Sequence, residues 1–202
     1  MVPKKIALAL TICMLLLGTW VSTPAVEAQD LHPSRRPSPT GIASTFIGDT
    51  YVKVVYSRPY KRGRDNIFGT EDSGALVPYD KTWRTGANEA TEITLTGDLR
   101  IGDQKLAAGT YSIFTIPGAD KWTVQFNSAL GLSGTGRFDV ETRTFEAVDL
   151  SATEVLTFAA PVTTLDEELD QFTFAFEPNE VGADLCMRWI TTEVCVPITA
   201  AD

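Results

Sequence analysis

The sequence predicts a mainly β, single-domain antiparallel β-sandwich or jelly-roll-like fold with little helix. Three observations carry that expectation. From Thr50 onward apolar residues alternate with polar ones at period two, the mark of strands with one buried face. Turn residues punctuate the alternation at short intervals, at Gly97-Asp98, Gly102-Asp103, Gly109, Pro117-Gly118, Pro178-Asn179 and Gly182. Helical periodicity is confined to Leu165–Leu169 and Ser128–Leu132, each enough for a single turn.

The first 28 residues read as a secretory signal rather than as part of the fold. Lys4 and Lys5 precede an apolar run from Ile6 to Leu17, and small residues follow at Ala25 and Ala28. The run is too short to cross a bilayer, which needs about 20 apolar residues. Leu10-Thr11-Ile12-Cys13 is not read as a lipid-attachment box, because Ile12 stands where a small residue is needed. Cleavage after Ala28, with Ala25 the alternative, leaves an exported protein, periplasmic or extracellular, with no membrane span. Residues 29–41 form a Pro-rich linker, expected as an exposed tether or a lead-in strand, and residues 42–199 form the domain.

Charge and composition exclude several functions. The 202-residue chain has 17 Lys and Arg against 26 Asp and Glu, a net charge of −9. The signal takes Lys4, Lys5 and Glu27 with it, leaving 15 bases and 25 acids, a net charge of −10. Such a field repels nucleic acid. The single histidine, His32, sits in the linker and has no second histidine for a metal site or a Ser/His/Asp triad. No cofactor, metal site or catalytic constellation is expected, and the reading leans away from an enzyme.

The strands follow in order. Val52, Val54 and Tyr56 share one face; so do Ile93 and Leu95, then Trp122, Val124 and Phe126, then Phe172, Phe174 and Phe176. Leu99 to Leu106 reads as a tight hairpin turning at Gly102-Asp103. A last hairpin turns near Thr191-Thr192 and pairs Leu185, Met187 and Trp189 with Ile198, Val196 and Val194. Cys186 and Cys195 then lie diagonally on the opposite face, within reach of a disulfide after small adjustment. Export favours a structural disulfide. A redox dithiol lacks the motif that lowers a thiol pKa, and two unpaired buried thiols are the third alternative.

The alternation breaks from Pro59 to Thr91. A connection of that length in a small domain is either functional or disordered, and its aromatic residues argue for order. Lys53, Arg58, Lys61, Arg62 and Arg64 follow one another without an intervening acid, and Lys81 and Arg84 come after. Arginine forks with aromatic planes suit an anion or a sugar. The candidate ligand-binding set is Tyr56, Arg58, Arg64, Tyr79, Lys81, Trp83, Arg84, Asn88 and Glu89. Its partner would be a small molecule, a glycan or an envelope component. The competing reading is purely structural: Arg84 pairs with Glu89 or Asp80, Trp83 packs beneath the loop, and Gly86 and Asn88 make turns.

Several ordered motifs make the chain recognisable. They are Tyr56-Ser57-Arg58-Pro59, Gly63-Arg64, Ile67-Phe68-Gly69 and Leu76-Val77-Pro78-Tyr79. Trp83 to Thr91 (WRTGANEAT) and Ala108 to Gly118 (AGTYSIFTIPG) complete the set. Over roughly residues 40 to 198 the chain resembles an exported bacterial family catalogued as domain of unknown function twenty-nine eleven. The resemblance implies an exported, mainly β protein and carries over no activity. Gly131 to Gly136 departs from the family's usual continuation.

The expected function is therefore a binding or envelope-associated module with its surface in residues 56–92. The alternative is a histidine-independent carbohydrate hydrolase using paired carboxylates, such as Glu89 with Glu92 or Asp80. On one strand Glu89 and Glu92 would face opposite ways, which makes them a poor pair. Twelve acids against one base, Arg143, lie between Asp139 and Asp184, densest at Asp166-Glu167-Glu168-Leu169-Asp170. They lack EF-hand spacing and are expected to form a solvated face or to meet the basic segment of another copy.

Overall fold

The computed structural model describes residues 36–139 and 141–201. The expected signal peptide, His32 and the first part of the linker lie outside them. Strands follow in chain order as β1 (Thr40–Ile47), β2 (Thr50–Ser57), β3 (Phe68–Gly69), β4 (Val77–Pro78), β5 (Thr91–Leu95), β6 (Leu99–Ile101) and β7 (Gln104–Leu106). After them come β8 (Gly109–Ile116), β9 (Lys121–Asn127), β10 (Gly136–Asp139), β11 (Thr144–Ala147), β12 (Glu154–Pro178) and β13 (Gly182–Ala200).

Nine strands join in the order β1-β2-β5-β8-β9-β12-β13-β6-β7, every pairing antiparallel. The order becomes a sandwich because β12 serves both layers. From Glu154 to Pro161 it pairs with β9, and from Val162 onward with β13. One layer is thus β1, β2, β5, β8, β9 and the start of β12; the other is the rest of β12 with β13, β6 and β7. The core between them takes Val52, Val54, Ile93, Trp122, Val124, Phe126, Phe172 and Phe174, so the period-two reading selected the correct faces.

The Gly102-Asp103 hairpin is present, joining β6 and β7. β13 contains the last expected hairpin. Nine extended residues would span about 30 Å, yet Cys186 and Cys195 have Cα atoms 4.0 Å apart and are joined by a disulfide. β13 therefore doubles back, and Ile190, with φ of 49°, marks the reversal. The six apolar residues assigned to its inner face are all in the core. Their register differs from expectation, because the cysteines stand directly opposite each other rather than diagonally.

The two expected helical turns are absent. Leu165–Leu169 lies within β12, where register shifts between Thr164 and Thr173 interrupt the ladder, and Ser128–Leu132 is irregular. Single 3₁₀ turns occur instead at Glu71–Ser73 and Leu150–Thr153. The acidic run occupies the irregular part of β12 and meets the basic segment of its own chain. Lys61 Nζ lies 3.0 Å from Glu168 Oε1, and the Lys61 amide donates to Asp170 O at 2.7 Å.

The long segment is stapled at several points. β3 and β4 pair in parallel, and the Asn66 side chain donates to Ser73 O at 2.6 Å. Trp83 and Thr115 exchange backbone hydrogen bonds of 2.7 and 2.9 Å. Trp83 also enters an aromatic cluster. Its ring stacks on Trp189 (6.2 Å, 17°) and meets Phe172 and Trp122 edge-on at 5.1 and 6.0 Å. Such pairs add about 0.5–1.5 kcal/mol each beyond their buried area.

Candidate functional site

The segment is fixed to the rest of the fold by some of the expected site residues, which leaves others for a ligand. Arg58 Nε donates to Phe172 O at 3.3 Å and Nη2 to Thr173 Oγ1 at 2.9 Å, tying β2 to β12. Tyr56 is buried against Phe174 and Phe172, at ring distances of 4.9 and 6.0 Å. Burial raises its phenol pKa, against a backbone hydrogen bond at Phe174 and the Arg58 charge. The Tyr79 amide donates to Gly69 O, and Lys81 pairs with Glu71 on the surface at 3.0 Å. Asn88, with φ of 58°, donates through Nδ2 to Ser38 O and Ser57 Oγ, both at 3.0 Å.

Of the four remaining expected residues, three, Arg64, Trp83 and Arg84, line one cavity of about 240 Å³, and the fourth, Glu89, does not. Tyr60, Arg62 and Trp189 join them, and no described residue brings a carboxylate to its wall. Arg62 and Arg64 each spend one N–H on a carbonyl, Pro37 O at 2.5 Å and Tyr60 O at 2.8 Å. Arg84 is different. Its Nε is buried without a hydrogen-bond partner, and no described residue accepts from its guanidinium. Burial lowers its pKa, opposed by the charge of Glu89. A guanidinium nevertheless keeps its proton at neutral pH.

Glu89 does not contact Arg84. Both of its oxygens accept from Arg36 Nη1, at 2.5 and 2.8 Å. Burial pushes the Glu89 carboxyl up, but the hydrogen bond and charge from Arg36, with the Arg84 charge, outweigh it and hold the carboxyl below its ordinary value. Glu89 precedes β5, so strand alternation does not separate it from Glu92. The two carboxylates line a second cavity of about 380 Å³ with Arg36, Tyr56 and Ser57. Glu92 Oε1 accepts from the Gly131 amide at 3.1 Å.

A third cavity, of about 510 Å³, lies on another side of Arg84 and takes in Asn88, Ser133, Thr135 and Phe145. The sequence reading missed Tyr60, Trp189 and these last three, which arrive from distant parts of the chain. Arg62 was visible within the basic run, whereas Arg36 was hidden in the presumed linker.

A family described as Protein of unknown function (DUF2911) matches residues 38–198. The chain belongs to this family. The match covers nearly all of the sandwich, including the three arginines of the first cavity and both cysteines. Arg36, the partner of Glu89, stands two residues before the DUF2911 span. No curated protein and no solved structure matches the chain. Among the described residues, no helix is long and apolar enough to cross a membrane.

Proposed function

We propose that this DUF2911 protein is an exported binding module that captures a small anionic ligand, a carboxylate, sulfate or phosphate ester, in the arginine cavity. One observation carries the reading: Arg84 is half-buried and, among the described residues, has no acceptor for its guanidinium, in a wall to which the described residues bring two further arginines and no carboxylate. A fully buried unpaired charge costs several kcal/mol. Arg84 bears a fraction of that cost, and a bound anion would relieve it through charge-assisted hydrogen bonds. The disulfide and the signal-like first 28 residues support export.

The hydrolase alternative has two carboxylates in one cavity to support it. A glycosidase acid must, however, hold its proton near neutral pH, which requires a raised pKa. Glu89 is shifted the other way. Binding is therefore the better reading.

Calorimetric titration of the purified domain at low ionic strength with sulfate, phosphate and glucuronate tests it. At least one should bind, and Arg84→Ala should weaken that binding about tenfold, the loss of one charge-assisted contact. Silence toward all three at millimolar concentration, or an unchanged affinity in Arg84→Ala, overturns the proposal.

A further inference from the structure

Arg84 and Trp83 line both the arginine cavity and the third cavity, so the two spaces meet at one guanidinium. Their chemistry differs. The arginine cavity presents Arg62, Arg64 and Arg84. The third cavity presents the hydroxyls of Thr82, Ser133 and Thr135, none of which is hydrogen-bonded to another described residue. Asn88 adds an amide whose two N–H donors are already committed to Ser38 and Ser57, leaving its oxygen as an acceptor. Among the described residues, no carboxylate lines either space.

At the edge of the third cavity stands Phe145. β10 and β11 pair in register with Phe138 opposite Phe145, and both rings are exposed, at 49% and 54%. Gly136 makes room for the Phe145 ring: a Cβ on that glycine would lie 2.5 Å from the ring and 2.2 Å from Glu146 O, so only glycine lets the ring lie against the backbone. A solvent-facing aromatic plane beside hydroxyl and amide groups is suited to the C–H face of a sugar ring.

Resting on the anion-binding reading above, we propose that the two cavities are adjoining subsites for an acidic oligosaccharide. The charged sugar occupies the arginine cavity, and a neutral neighbouring sugar lies in the third cavity against Phe145. Arg84 bridges them. A nucleotide fits less well, because a base is held best between two flat walls and Phe145 offers one exposed face.

The test uses the whole exported chain and two probes, glucuronate and an aldobiouronic acid (glucuronic acid joined to xylose), followed by calorimetry. The disaccharide should bind about tenfold more tightly than glucuronate, the gain expected from one further ring contact with its hydrogen bonds. Phe145→Ala should remove that advantage and leave glucuronate binding unchanged. Phe145→Leu, which keeps apolar packing on Gly136 without an aromatic face, should do the same and controls for collapse of the ribbon. Arg84→Ala should weaken both probes. The second subsite is overturned, and the anion reading kept, if glucuronate binds but the disaccharide gains nothing or its gain survives both Phe145 variants. A 5′-nucleotide that binds more tightly than the disaccharide also overturns it. Failure of both acidic probes removes the anion reading and this inference together.

Discussion

Both carboxylate oxygens of Glu89 accept from Arg36 and neither from Arg84, although Arg84 stands only five residues earlier in the same loop. That choice keeps the arginine cavity without an internal counter-ion. Arg36→Ala should release Glu89 to approach Arg84 and compete with the ligand. Anion affinity should fall by a factor of about 1.4 to 5, in line with about 0.2–1 kcal/mol for an exposed ion pair. Adding Glu89→Gln should restore it. Titration of the single and double variants checks this, and a double variant no better than Arg36→Ala would sink the explanation.

Arg58 and Arg84 should respond differently to truncation. Arg58 holds Phe172 O and Thr173 Oγ1 across the sandwich, so Arg58→Ala should cost about 1–3 kcal/mol of stability. The Arg84 side chain makes no hydrogen bond to a described residue, so Arg84→Ala should leave the melting temperature unchanged or raise it. Thermal melts without ligand distinguish the two, and a large destabilisation by Arg84→Ala would point to a purely structural arginine.

The Cys186–Cys195 bridge closes a loop nine residues long. Chain entropy for such a loop amounts to about 2.5 kcal/mol. Cys186→Ser with Cys195→Ser should therefore lower the melting temperature by about 5–10 °C for a domain of this size. Calorimetry of the double variant reads this directly.

Acid should destabilise the fold in a defined window. Glu89 is held below its ordinary 4.5, and Asp98, Asp139 and Asp149 below 3.8, the last three by hydrogen bonds to Lys105 and Ala108, to Thr142 and Glu141, and to Ser151. A depressed carboxyl contributes stability that is present above its unfolded value and lost as pH falls through the folded one. Melting temperature should therefore stay level from neutral pH to about 5 and drop below about 4. At the other end, Tyr56 is raised above 10.0 by burial, so stability should decline as pH climbs past 10.0. A pH series of thermal melts tests both ends.

Strands with large residues on their inner face were legible in the sequence, as at Val52, Val54 and Tyr56. β1 was not, for a physical reason: its inward positions are Gly41, Ala43 and Thr45, while Ile42 and Phe46 are exposed at 66% and 69%. Its hydrophobic alternation is inverted relative to burial. Gly41 is required there, since a Cβ would meet Arg58 Cδ at 2.6 Å. β10 and β11 are almost wholly exposed and so carried no burial pattern to read. The basic island was visible as charge. Which of its arginines lacks an acceptor was not, because that depends on Arg36 taking Glu89 and on walls supplied by Trp189, Ser133 and Phe145.

The passage of β12 from one layer to the other at Pro161 and Val162 has a consequence for how the molecule comes apart. The two layers share that strand as well as one core, so melting either layer frays β12 and uncovers the apolar face of the other. Unfolding should be a single cooperative transition, with slow hydrogen exchange in β9 and in β13 reporting one shared opening free energy. Both cavities beside Arg84 would then keep their walls until the whole sandwich is lost.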